Sequence, residues 1–134
     1  MQGSQFESPA PLTEVEISEI EALLARPLPG DYRQFALEYA GAFVGGAVDG
    51  NCDLGVDYFL GAKDHQIFNS LKNEDNFLRE GILPIAGCVL GNRFVLATDN
   101  TIVYINYYGR RTTVHKVASC FQEFIDRIVI LSDD

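Results

Sequence analysis

The sequence predicts an α+β fold, a single domain whose mostly antiparallel sheet packs against N-terminal helices and a C-terminal helix. Three observations carry this. The chain opens and closes on segments whose apolar residues recur at helical spacing. Its middle breaks into short apolar runs punctuated by glycine, and the links between those runs are too short for the crossover helices of a parallel sheet. With 134 residues, 47% of them hydrophobic, the chain suits one domain that buries roughly two-thirds of the surface its unfolded form exposes.

Residues 1–12 are expected to be a flexible N-terminal segment and 13–134 the folded domain. Thr13-Glu14-Val15-Glu16 fits a capping box, with Leu12 and Ile17 as its apolar staple, and starts a helix over 13–25. Ile17, Ile20, Leu23 and Leu24 keep the helical period until Pro27-Leu28-Pro29 ends it. A second helix over 30–40 carries Tyr32, Phe35, Ala36 and Tyr39, and Gly41 supplies the left-handed residue that closes it. From Phe43 to Gly61 the pattern is strand and tight turn, with Val56, Tyr58 and Leu60 alternating. Asp64 is placed to cap a short helix holding Ile67, Phe68 and Leu71, followed by a surface loop or more helix from Lys72 to Glu80. Strands are expected at Leu83–Ala86, Arg93–Thr98, Thr101–Tyr107 and Thr112–Val117. Ser119 and Gln122 make a second capping-box match, opening a terminal helix over 119–131 lined by Phe121, Phe124, Ile125, Ile128 and Leu131.

Charge and cysteine usage narrow the partners. Ten basic against nineteen acidic side chains give a net charge of −9, the reverse of the basic stripe that displaces counterions from nucleic acid. A basic protein partner, or solubility alone, fits that balance. Cys52, Cys88 and Cys120 are odd in number and far apart, and read as reduced thiols among hydrophobic neighbours in a cytoplasm. No apolar core segment or basic leader marks a secretory signal at residues 1–5, so a cytoplasmic protein is expected. The charge-free stretch Gly81–Asn92 is too short to span about 30 Å of hydrocarbon.

Read in order, four segments resemble the SUKH superfamily, a group of bacterial immunity proteins that also includes yeast regulators of cell-wall synthesis. They are the first amphipathic helix, Leu28-Pro29-Gly30-Asp31-Tyr32-Arg33-Gln34-Phe35, Leu83-Pro84-Ile85-Ala86 with Gly91-Asn92, and Val117-Ala118-Ser119-Cys120-Phe121-Gln122-Glu123-Phe124. Ala40-Gly41-Ala42 stands where relatives have Asn-Gly-Gly. The resemblance implies a protein that binds and neutralises a toxin domain such as a nuclease or deaminase, or a non-catalytic regulatory interaction module. Its motifs are caps, turns and core anchors, so it does not identify partner-binding residues.

No constellation of catalytic residues or metal ligands is legible, and no cofactor is expected. A thiol hydrolase would pair Cys52, Cys88 or Cys120 with His65 or His115, but isolated cysteines are more often small buried hydrophobes. His115 should face solvent from a strand. Gly41 to Gly46 has the glycine spacing of a phosphate loop, but Ala47-Val48 replaces its Lys and Ser/Thr, so this segment reads as a turn. Asp49, Asp53, Asp57 and Asp64 form an acidic run without the ligand alternation of a calcium loop. They read as a solvated rim or as contacts to a basic partner, with Tyr58 and Phe59 beside them as aromatic anchors or sheet core. Asp49, Asp53, Asp57, Tyr58 and Asp64 are therefore the candidate partner-binding residues.

Overall fold

The capping box at Thr13 forms in both directions: Glu16 N–H donates to Thr13 Oγ1 at 3.1 Å, and Thr13 N–H donates to Glu16 Oε1 at 2.9 Å. Two orphan amides are thereby satisfied, and α1 runs Glu14–Leu24. The computed structural model describes residues 6–131. The second expected helix is α2 (Gly30–Tyr39), closed by Gly41 at φ 79°. The chain then builds β1 (Phe43–Val48), β2 (Gly55–Phe59), α3 (Gln66–Asn73) and α4 (Phe77–Glu80). After these come β3 (Leu83–Gly87), β4 (Arg93–Leu96), β5 (Ile102–Asn106), β6 (Thr113–Ala118), α5 (Phe121–Asp126) and β7 (Ile128–Ile130).

The strands form one sheet in the order β6-β5-β4-β3-β2-β1-β7, and every pairing is antiparallel. Six strands follow a meander, as their short links require. A run of ring contacts joins Phe59 of β2 to Phe35 of α2 at 4.7 Å, Phe35 to Phe121 of α5 at 5.0 Å, and Phe124 to Phe94 of β4 at 5.0 Å. This settles the two readings of Phe59 in favour of core. No helix among the described residues is long and apolar enough to cross a membrane.

Several expectations need correction. The terminal helix does not reach 131: α5 stops at Asp126, and Ile128-Val129-Ile130 becomes β7, pairing with Val48, Ala47 and Gly46 of β1. A β-branched run beside an open sheet edge gains more from the ladder than from another helical turn. The second capping box is not formed either. Asp31, at the start of α2, accepts from Gln122 N–H at 3.0 Å and from Tyr32 N–H at 2.8 Å, so one carboxylate ties two family-like motifs together. Asp64 does not cap α3; it lies in the left-handed region at φ 54° in a 3-10 turn, and His65 is the N-cap. The Gly41–Gly46 segment is mostly strand, with a bulge between Phe43 and Gly46. Cys88 is buried, whereas Cys52 and Cys120 are exposed.

Residues 1–5 of the expected flexible segment lie outside the described residues. Residues 6–12 run against the domain, with Phe6 and Leu12 in the core and Glu7 bridging to Phe43. Phe6 packs on Phe35, Tyr39 and Phe59, an apolar contact that helps to order this segment.

Candidate partner-binding surface

Asp57 and Tyr58 are neighbours on β2, and a strand sends neighbouring side chains to opposite faces. Four of the five candidate residues border two separate grooves, Asp53 and Asp57 the first and Tyr58 and Asp64 the second.

Asp53 and Asp57 border the first groove, about 650 Å³, with Val89, Leu90, Tyr108 and His115. The sheet curls, so side chains from β2 meet others from β6, four strands away in sheet order. Asp53 sits in a 3-10 turn, Cys52–Leu54, whose entry is fixed by Asn51 Oδ1 accepting from Asp53 N–H at 2.9 Å. Asp57 Oδ2 accepts from Val89 N–H at 2.7 Å, tying β2 to the tip of the β3–β4 hairpin. Neither carboxylate takes part in an ion pair among the described residues.

The far wall is held by Asn92, which is buried. Its Nδ2 donates to Tyr104 Oη at 2.9 Å and its Oδ1 accepts from Tyr107 N–H at 2.8 Å. Burial raises the Tyr104 phenol above its ordinary value, and the His115 ring packs edge-on against Tyr104 at 5.6 Å. His115 is exposed, as expected of a strand residue facing solvent.

Val89 is 86%, Leu90 58% and Tyr108 68% exposed, so three large apolar side chains crowd the mouth of one groove. Scattered apolar residues are ordinary on a surface, but a cluster of them beside acids has the composition of an interface. Sequence reasoning passed over all three. The signal was available: Val89-Leu90 lies at the tip of a turn closed by Gly91, where nothing in the fold needs an apolar side chain. Cys52 and Cys88 border this groove as well.

Tyr58 and Asp64 border the second groove, about 720 Å³, between α3 and the β1–β2 pair. Here charge is already matched. Arg93 makes a fork with Glu74, Nε to Oε1 at 2.9 Å and Nη2 to Oε2 at 3.0 Å, and its Nη1 donates to Tyr58 Oη at 2.6 Å. Burial works to raise the Glu74 carboxyl, but the Arg93 guanidinium overcomes it and holds the group below its ordinary value. Gly87 makes room for this arrangement: a Cβ there would stand 2.4 Å from Arg93 Nη1 and 2.8 Å from Tyr58 Oη.

Asp49 borders neither groove. It follows β1 at φ 56° and meets the Arg127 guanidinium, Nε to Oδ1 at 3.1 Å. Hydrogen bonding from Arg127 keeps its carboxyl below the usual range. Among the described residues, no three His, Cys, Asp or Glu side chains gather in a way that could hold a metal ion.

A search of curated proteins finds no match. The model of the SMI1/KNR4 family (SUKH-1) matches residues 11–127, from the end of the segment leading into α1 to the last residue before β7, and the chain belongs to that family.

Proposed function

We propose that this protein is an immunity protein, a stoichiometric inhibitor that binds a toxin domain through the groove bordered by Asp53 and Asp57. The carrying observation is the union in one concavity of two carboxylates without ion-pair partners and three exposed apolar side chains. Such a surface steers a basic partner by charge and holds it by apolar burial. Family membership supports a protein-binding role. A nuclease with a basic substrate cleft is the partner class that best complements a chain of net charge −9. Asp49 and Asp64 contribute to the long-range field, and Tyr58 supports the neighbouring groove. The cytoplasm is the compartment where such a complex would protect the cell.

The test uses the toxin domain encoded beside the gene. Changing Asp53 and Asp57 to asparagine should slow association and flatten its salt dependence. Superimposable rate curves for parent and variant would move the interface elsewhere. A regulatory module of the cell-wall type would lack such a neighbouring toxin and would bind none.

A specific observation favours a second reading. Cys52, Cys88 and His115 border the same groove, which a small thiol hydrolase would require. A thiolate needs a base within hydrogen-bond reach, and no hydrogen bond joins His115 to either sulfur among the described residues. Labelling of Cys52 by an activated-ester probe, abolished by His115→Ala, would support this reading over inhibition by binding.

A further inference from the structure

The second groove has a chemistry unlike the first. Its volume of about 720 Å³ is that of a small-molecule site. Gln66, Asn69, Ser70 and Asn73 fall at i, i+3, i+4 and i+7, so one face of α3 lines it with four neutral polar side chains. Ile67, Phe68 and Leu71 take the opposite, buried face. The polar stripe extends over about 10 Å of helix.

Two features say what such a stripe suits. Charges on the lining are two of each sign, Lys63 and Arg93 against Asp64 and Glu74, and the Arg93–Glu74 fork is closed on itself. An ion would find no uncompensated field there. Ser70 is 4% exposed, yet its Oγ has no hydrogen-bond partner. Its hydroxyl helps to hold the Glu74 carboxyl below its ordinary value, yet it does not reach hydrogen-bond geometry with that group. A buried hydroxyl without a partner is costly, and such groups in native proteins commonly mark a bound molecule or a strained functional position.

The remaining capacity is mixed. Gln66 Oε1 accepts from Gly61 N–H at 2.9 Å, which leaves its amide N–H groups to donate. Asn69 Nδ2 donates to the Asp64 carbonyl at 3.3 Å, which leaves its Oδ1 to accept. Closely spaced donors and acceptors match a molecule whose polar atoms each do both, that is, one bearing adjacent hydroxyls. An extended peptide offers only one donor and one acceptor per residue, about 3.4 Å apart. Phe43, 56% exposed, adds a flat apolar face at the edge.

We infer that this groove binds a neutral carbohydrate of one or two sugar units, independently of the protein partner. The experiment titrates the full chain, observed by amide NMR shifts, with a panel of neutral hexoses, N-acetylhexosamines and their disaccharides, and with inorganic phosphate as a charged control. At least one sugar should give saturable shifts at residues 63–74, with affinity of about millimolar, unchanged between about 0.05 and 0.5 M salt. The double variant Asn69→Ala, Asn73→Ala should weaken that binding at least tenfold without changing the melting temperature, since both side chains are exposed. Ser70→Ala should weaken binding while leaving the melting temperature equal or higher, a pairing that a purely structural hydroxyl would not give. Failure of every sugar to saturate would overturn the inference. So would binding that survives the double asparagine variant, a response to phosphate alone, or a lowered melting temperature in Ser70→Ala.

Discussion

The two grooves lie on either side of one strand and handle charge in opposite ways. Around Tyr58, the lining carries two charges of each sign, and Arg93 spends its guanidinium on Glu74 and on the Tyr58 phenol. Around Asp57, the carboxylates take part in no ion pair among the described residues and the mouth is apolar. A single-residue alternation on β2 separates them. The difference teaches that proximity in sequence is poor evidence for a shared surface. Asp57 and Tyr58 were grouped because they are adjacent, and adjacency on a strand is what drives them apart.

The comparison breaks first, and by the largest effect, at the apolar mouth. Leu90→Asp with Tyr108→Asp should weaken binding of the toxin domain at least a hundredfold, because anchors of this kind often carry ~2 kcal/mol or more each. Calorimetric titration reads this, and the melting temperature should hold because neither side chain is buried. If affinity is retained, the first groove is not the interface.

Next in size is the charge term. Asp53→Asn with Asp57→Asn should reduce the association rate about tenfold at low salt and leave the dissociation rate nearly unchanged. Stopped-flow rates across ionic strength would expose an equal change in Asp64→Asn, which would erase the distinction between grooves.

Arg93→Ala should act on stability instead. It leaves the half-buried Glu74 carboxylate and the Tyr58 phenol without their donor, so chemical denaturation should show a loss on the order of 1–3 kcal/mol, with toxin affinity unchanged. The Glu74 carboxyl is depressed in the folded state, so its contribution is present above the unfolded value and fades as pH falls through the folded one. Glu74→Gln should therefore flatten the acid limb of stability against pH. A steeper limb would mean that the Arg93 pairing is not what depresses the group.

The smallest effect expected is at sulfur. Replacing Cys52, Cys88 and Cys120 by serine should leave toxin affinity within about twofold, with a stability loss of about 1–2 kcal/mol from buried Cys88. A large loss of function with the fold unchanged would revive thiol chemistry.

Local rules read much of the fold. Thr13, Pro29 and Gly41 announce the ends of α1 and α2 through capping chemistry that acts within a few residues. Strands β3 to β6 are legible because β-branched and aromatic runs are bounded by turn residues. The rest depends on distant parts of the chain. Nothing near Ile128 says that β1 offers an unpaired edge, and nothing near Gln122 says that Asp31 will reach it across 91 residues. Arg26 is similar: it donates to the Gly81, Leu96 and Ala97 carbonyls and to Asn100 Oδ1, pinning the end of α1 to β4, with no local trace of that role. For the candidate surface, acidity was legible as a count, but which acids remain free of partners depended on where Arg127 and Arg93 came to rest. Val89, Leu90 and Tyr108 were passed over because their gathering at one groove mouth is a property of the finished surface.

The most direct measurement is amide hydrogen exchange of this protein with and without the toxin domain encoded beside its gene. Binding through the first groove predicts new protection at residues 51–57, 88–92 and 106–108, while 63–74 exchange as before. Protection confined to 63–74, or at neither segment when the complex is formed, would contradict it.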